Sequence, residues 1–155
     1  METTDLTVVT LTRGMPQVLS MCLSHLELQT HPSAKFEVLV VALPSATGTD
    51  AMLDRYCSGG PVRMRCIHAL EENAAAARNL AVMQAQGRWL LFLDEDLLAG
   101  SHLVESHIAT QRENGGACAV VGRIDFHPQL EQPAGPPSCA LTHRLFQPGQ
   151  PLKFL

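Results

Sequence analysis

Three consecutive acids, Asp94, Glu95 and Asp96, directly follow the apolar run of residues 90–93. An apolar run of this length, preceded by Gly87, predicts a buried strand that ends at the acids. On an extended backbone, side chains two positions apart point the same way, and their Cα atoms are about 6.6 Å apart. Asp94 and Asp96 would then form a pair of carboxylates, which can hold a hard divalent cation and, through it, a phosphate.

The same acids have a second interpretation as the start of a helix. Asp96 could cap the segment that follows it, with Asp94 and Glu95 simply solvated. In open α/β sheets, ligands bind outside the carboxyl ends of the strands, which is where the metal interpretation places these acids. The acids by themselves leave both interpretations open.

The elements that must position these acids alternate along the chain. Apolar, β-branched stretches predict strands at residues 6–11, 36–42, 62–68, 88–93 and 117–122. Amphipathic or alanine-rich stretches predict helices at residues 16–31, 47–56, 71–86 and 101–113. Gly87 is expected to cap the third helix at its C-terminus, and Ser101 to cap the fourth at its N-terminus. This alternation predicts an α/β fold with a mostly parallel sheet and helices on both faces.

After Gly122 the character of the sequence changes. Residues 126–155 contain six prolines and little periodicity, which predicts a loop-like tail. The tail ends in the apolar residues 151–155 without an element to complete, so we expect the chain to be cut short.

Composition excludes several classes of function. The chain has 155 residues, a net charge of −4 and a pI of about 5.9, which argues against a nucleic-acid binder with a basic face. It has no apolar stretch of about 18 residues that would predict a transmembrane helix. The first five residues are acidic and lack the pattern of a signal peptide, which favours a cytoplasmic location and leaves a membrane-peripheral role open.

Three segments in order narrow the class of protein. The first strand runs into residues 10–13, the third helix carries Asn73 and then Ala77-Arg78-Asn79, and the acids follow Ala85-Gln86-Gly87 at the end of residues 92–96. The ordered set resembles the family 2 glycosyltransferases of the GT-A fold, whose pattern has Asn, Ala-Arg-Asn, Ala-x-Gly and then Phe-Leu-Asp-x-Asp. The resemblance covers about residues 6–125, and implies a Rossmann-like nucleotide-sugar-binding domain over residues 1–125. The tail 126–155 would then begin an acceptor half that the chain lacks.

The resemblance also implies roles for individual residues. Asp94 and Asp96 match the pair that contacts the donor and binds its diphosphate through Mn²⁺ or Mg²⁺. Arg78 matches the arginine of Ala-Arg-Asn and is expected near the donor. Thr10, Thr12 and Ser45 match loops that line the nucleotide pocket. The implied activity is sugar transfer from a nucleotide-diphosphate donor with inversion, to an acceptor that the sequence does not identify.

Two departures from the family pattern stand out. The second strand of such enzymes typically ends in Val-Val-Asp-Asp-Gly-Ser, whereas this chain has Ala42 and Leu43 in place of both acids. The family's catalytic base, a carboxylate well beyond the Asp-x-Asp pair, has no match here, and we interpret Asp125 as structural.

Three hypotheses therefore remain. The first is a sugar transferase or its donor-binding part. The second is a truncated or degenerate domain that only binds or acts as a scaffold, and an uncovered sheet edge would invite its association. The third, an aspartate-nucleophile phosphatase, is disfavoured because Leu97-Leu98 follows the acids and no lysine occurs between Asp96 and Lys153.

Overall fold

The computed structural model describes residues 3–115 and 118–125. Four strands form one sheet in the order β3-β2-β1-β4, and every neighbouring pair is parallel. The strands are β1 (Leu6–Thr12), β2 (Phe36–Ala42), β3 (Arg63–His68) and β4 (Trp89–Phe92). The predicted parallel sheet is confirmed, and its strands are rich in the β-branched and apolar residues that suit a sheet buried on both faces.

Helices cover both faces of the sheet, as predicted. They are α1 (Pro16–Glu27), α2 (Asp50–Cys57), α3 (Ala74–Gln84) and α4 (Leu103–Glu113), with a short 3₁₀ turn at Ser33–Lys35. Side chains of α1, α2 and α4 share one core with Leu6, Val8 and other residues of that face. Ala77 and Ala81 of α3 pack with Val9 and Leu39 on the opposite face. Within the described residues, no helix has the length and apolar content needed to span a bilayer.

Three helices begin later than the sequence predicts, namely α2 at Asp50, α3 at Ala74 and α4 at Leu103. Helix α3 begins at Ala74, since the Asn73 side chain accepts hydrogen bonds from the backbone N–H groups of Ala75 and Ala76 (2.9 and 3.2 Å). Helix α4 begins at Leu103 after His102, so the expected N-cap at Ser101 is wrong.

Gly87 has a different role from the predicted helix cap. Helix α3 ends at Gln84 with Ala85 as its C-cap, so that prediction is wrong. A Cβ atom at Gly87 would collide with the backbone of Thr7, and the Gly87 N–H donates to Thr7 Oγ1 at 2.8 Å. A glycine therefore stands here because the chain entering β4 passes against β1.

The fifth predicted strand is absent from the described part of residues 117–122. The carbonyl oxygen of Cys118 instead accepts a hydrogen bond from Gln111 Nε2 of α4 at 2.9 Å. This hydrogen bond connects the segment to α4 rather than to the sheet. Strand β4 pairs with β1 alone among the described residues.

A buried carboxylate joins three elements at the amino edge of the sheet. The Glu37 side chain of β2 is fully buried and accepts hydrogen bonds from Thr7 Oγ1 of β1 (2.9 Å) and from the Gln86 N–H (2.8 Å). Arg65 of β3 donates to it through Nε at 3.0 Å and Nη2 at 3.2 Å. A buried charge is tolerated only when it is paired and hydrogen-bonded, and Glu37 satisfies both conditions.

The chain divides into two units, residues 1–120 and 121–155. The predicted domain boundary at residue 125 stays a prediction, because the predicted tail 126–155 lies outside the described residues.

Candidate functional site

The carboxyl ends of all four strands meet at one edge of the sheet, because the strands are parallel. The predicted site residues Ser45, Asp94 and Asp96 lie in loops that leave this carboxyl edge, and Arg78 lies in the first part of α3. The topology therefore brings to one edge residues that are up to 51 positions apart in sequence, from Ser45 to Asp96.

The three acids occupy a turn rather than an extended segment. The Leu93 N–H donates to the Val9 carbonyl oxygen (2.9 Å), which extends the pairing of β4 with β1 by one residue. The Leu97 N–H then donates to the Asp94 carbonyl oxygen at 3.1 Å, so Glu95 and Asp96 are the central residues of a β-turn. The extended spacing expected between Asp94 and Asp96 is therefore wrong. Within this turn Asp94 and Asp96 are exposed, whereas Glu95 is buried.

Glu95 joins the ends of β4 and β1. Its carboxylate accepts hydrogen bonds from Thr12 Oγ1 at 2.6 Å and from the Arg13 backbone N–H at 3.1 Å. The Thr12 hydroxyl in turn accepts from the Gly14 N–H at 3.3 Å. The interpretation of Glu95 as a solvated acid is wrong, and the sequence offers no signal that would have separated it from its two neighbours.

Arg78 lies beside the first acid. Its Nη2 atom is 3.4 Å from Asp94 Oδ1, and both side chains are substantially exposed to solvent. Ala77 and Ala81 face the core, which places Arg78 at the margin of the buried face of α3. The positive charge of Arg78 and the negative charge of Asp94 therefore lie side by side at the carboxyl edge.

The two threonines of β1 are buried. Thr12 uses its hydroxyl on Glu95. Thr10 lies with its hydroxyl beside the Cys22 thiol, without the geometry of a hydrogen bond. Burial raises the pKa of Cys22 to about 11, so this cysteine is a neutral thiol beneath the acidic turn. Direct donor contact by Thr10 and Thr12 stays a prediction.

A second polar group lies at the same edge and was not predicted. Glu72, in the loop after β3, accepts hydrogen bonds from the Ser45 N–H (3.0 Å) and the Ser45 hydroxyl (2.8 Å). Arg13 Nη1 lies 3.6 Å from Glu72 Oε1. The hydrogen bonds from Ser45, aided by the charge of Arg13, lower the pKa of Glu72 and keep it ionised at neutral pH. Ala42 and Leu43, where the resemblance led us to expect acids, are buried.

The donor set at the acidic turn suits a hard cation. In the described part of the chain, no group of three or more His, Cys, Asp and Glu side chains is arranged to hold a metal ion. Mg²⁺ is commonly held by one or two carboxylates and completes its shell with phosphate and water oxygens. The exposed carboxylates of Asp94 and Asp96 are the residues that fit such a partial set.

Two solved structures with a similar fold are described in complexes with nucleotide-sugars. S. aureus TarS 1–349 in complex with UDP-GlcNAc aligns with a TM-score of 0.65 and 23% identity, over 72% of this chain and 32% of that 1–349 chain. The mannosyltransferase PcManGT from Pyrobaculum calidifontis, in complex with GDP-Man and Mn²⁺, aligns with a TM-score of 0.57 and 25% identity. That alignment covers 63% of this chain and 29% of PcManGT. The predicted GT-A fold is thereby confirmed.

Sequence relatives agree with the structural neighbours. Glycosyltransferase AglE of Haloferax volcanii is 30% identical over 105 residues, which are 68% of this chain and 34% of AglE. An uncharacterized glycosyltransferase of Rickettsia felis is 33% identical over 87 residues, which are 56% of this chain and 14% of the relative. This chain thus spans about a third or less of these relatives. The family model for glycosyl transferase family 2 matches residues 7–148. The chain therefore belongs to glycosyl transferase family 2.

Proposed function

We propose that this chain binds a nucleotide-sugar at the carboxyl edge of its sheet and is the donor-binding part of a metal-dependent glycosyltransferase. The observation that carries the proposal is the exposed Asp94 beside Arg78 at the end of β4, in a chain of this family. TarS and PcManGT, whose folds resemble this one, are described in complexes with UDP-GlcNAc and with GDP-Man.

The acids would bind the diphosphate indirectly, through Mn²⁺ or Mg²⁺ held by Asp94 and Asp96. Such a cation supplies positive charge where the leaving nucleoside diphosphate becomes negative. Support comes from the hard oxygen ligands of the turn and from the Mn²⁺ in the PcManGT complex. Arg78 adds a fixed positive charge beside the same turn, and Glu95 keeps the turn in place from below.

Residues at the ends of β1 and β2 have different proposed roles at the donor site. Ser45 is exposed and can contact the donor from the β2 loop. Thr10 and Thr12 are buried, so we assign them the support of the β1 end, with Thr12 acting through Glu95.

Transfer of the sugar requires a base for the acceptor hydroxyl, and the acceptor is not identified. Asp125 suits this role poorly, because both of its carboxylate oxygens accept from Arg123 Nε at 2.9 and 2.8 Å. These hydrogen bonds lower the pKa of Asp125 and make it a weaker base. We therefore keep the earlier interpretation of Asp125 as structural.

Calorimetric titration of UDP-GlcNAc and GDP-mannose tests the proposal. We expect binding in the presence of MnCl₂, and at least about tenfold weaker binding after chelation or in the variant Asp94→Ala/Asp96→Ala. The variant Asp54→Ala/Glu113→Ala is the matched control, since it also removes two exposed acids but none from the turn.

Absence of metal-dependent binding in the unmodified chain would contradict the proposal. Membership of a glycosyltransferase family removes the reason to pursue the phosphatase hypothesis.

A further inference from the structure

Three loops of the carboxyl edge converge on one polar cluster, formed by Arg13 after β1, Ser45 after β2 and Glu72 after β3. Glu72 receives two hydrogen bonds from Ser45, and its Oε1 atom lies 3.6 Å from Arg13 Nη1. Gly14, with a φ of +99°, lets the β1 loop pass close to the backbone of Ala46 and Thr47. The close approach of the β1 and β2 loops holds Arg13 beside Ser45.

Arg13 connects this cluster to the proposed diphosphate site. Its backbone N–H donates to Glu95, the buried acid of the turn, while its side chain reaches Glu72. A ligand whose diphosphate lies at Asp94 would therefore have the Arg13–Ser45–Glu72 cluster next to it, along the same edge.

The cluster retains capacity to bind a ligand. A carboxylate can accept about four hydrogen bonds, and Glu72 accepts two within the described residues. A guanidinium carries about five N–H donors, and the side chain of Arg13 is 60% exposed. The Glu72 carboxylate can accept a hydrogen bond, and the neighbouring Arg13 guanidinium can donate one. Together they complement a planar ligand that has an N–H group next to a carbonyl oxygen.

We propose that Glu72, with Arg13, recognises the nucleobase of the donor and selects a base whose ring N–H adjoins a carbonyl, as in uracil and guanine. Glu72 accepts the ring N–H, and Arg13 donates to the neighbouring carbonyl oxygen. Cytosine and adenine present a ring nitrogen acceptor at the corresponding position, which repels a carboxylate. Glu72 thereby supplies, from the β3 loop, a carboxylate that the β2 loop of this chain lacks at Ala42 and Leu43.

This inference rests on the proposed function and is tested by the choice between bases. Calorimetry with UDP, GDP, CDP and ADP, each with MnCl₂, measures that choice while the diphosphate stays constant. We expect the unmodified chain to bind UDP or GDP at least about tenfold more tightly than CDP and ADP. A carboxylate that pairs with a ring N–H group disfavours a base that has a hydrogen-bond-accepting nitrogen at that position. The variant Glu72→Gln should reduce this ratio to about threefold or less, since an amide can pair with either kind of base edge.

Two further variants separate recognition from a merely structural contact. Glu71→Gln removes the neighbouring exposed acid and should leave the ratio unchanged. Ser45→Ala keeps the carboxylate of Glu72 but removes the hydrogen bond from the hydroxyl, so an intermediate ratio is expected even if Glu72→Gln folds poorly. A purely structural role for Glu72 would weaken all four nucleotides equally.

The outcomes distinguish this inference from the proposed function. Equal binding of all four nucleotides, or an unchanged ratio in Glu72→Gln, overturns the inference and leaves the donor site standing. Failure of the unmodified chain to bind any of the nucleotides overturns both.

Discussion

At the scale of single residues, the acidic turn depends on its buried member. Glu95 holds the ends of β4 and β1 together through Thr12 and Arg13, and this leaves Asp94 and Asp96 exposed on the outer side. Arg78 then meets Asp94 across the edge. Asp94 and Asp96, which would contact a ligand, are therefore positioned by Glu95, which would not contact it.

The pairing of Glu95 with Thr12 can be measured by a double-mutant cycle. We expect Glu95→Ala to lower the free energy of unfolding by about 1–3 kcal/mol, because it leaves buried donors without an acceptor. Thr12→Ala and the double variant complete the cycle, with an expected coupling of about 0.5–3 kcal/mol measured by urea denaturation. Additive effects of the two substitutions would contradict a direct interaction. Exposed Glu113→Ala serves as the control for loss of an acid.

At the scale of elements, one buried glutamate at each edge of the sheet connects neighbouring strands. Glu95 acts at the carboxyl edge, and Glu37 connects β1, β2, β3 and the entry to β4 at the amino edge. Hydrophobic burial alone does not select the register of apolar strands such as β1 and β2. The directional hydrogen bonds of Glu37 add that selection.

Glu37 should make stability depend on acidic pH. Burial raises its pKa, but the hydrogen bonds from Arg65, Gln86 and Thr7 outweigh burial and leave the pKa below its ordinary value. A carboxyl whose pKa is lowered by folding contributes stability above its unfolded pKa of about 4.3, and this contribution is lost as the pH falls through the folded pKa. We expect the urea midpoint to fall as the pH is lowered from about 5 towards 3.

A substitution isolates the contribution of Glu37 from that of the other acids. Glu37→Gln should lower the free energy of unfolding at pH 7 by about 3 kcal/mol, because Arg65 then lacks its buried partner. It should also flatten the acid dependence of the urea midpoint, whereas Glu113→Gln should leave both unchanged. An acid dependence that is as steep in Glu37→Gln as in the unmodified chain would refute the assignment.

At the scale of the whole molecule, the described sheet has β4 at one edge, and Phe92 at its end is 45% exposed. An edge strand presents unpaired backbone N–H and C=O groups, which favour pairing with another chain. Association of this chain with another copy therefore stays a prediction, and β4 is the strand through which we expect it.

Sedimentation velocity over a range of concentrations tests association through β4. We expect concentration-dependent dimers or larger species, and weaker association in Phe92→Lys, because a charge at an edge strand opposes pairing. Leu70→Lys is the matched control, since Leu70 is 97% exposed but lies after β3, away from this edge. A chain that stays monomeric at all concentrations would contradict the prediction.

The sequence by itself determined the type and chain order of the first four strands and of the four α-helices, because each depends on local properties. The apolar β-branched runs specified β1 and β2, and the alanine-rich stretch specified α3. The position of Arg78 near the end of β4 was expected only from the family resemblance. Contacts between distant residues were not accessible in the same way. The packing of Gly87 against Thr7 joins residues 80 positions apart and depends on the tertiary structure.

Only the tertiary structure decided which of the three acids is buried in a structural contact and which two are exposed. Asp94, Glu95 and Asp96 are chemically alike and adjacent in sequence, yet the β-turn buries the middle one against Thr12 and exposes the other two. Glu72 lies 27 positions after Ser45 and reaches it only because β2 and β3 are parallel neighbours. A local pattern records the type of a side chain, whereas its role at this edge depends on which loops the sheet brings together.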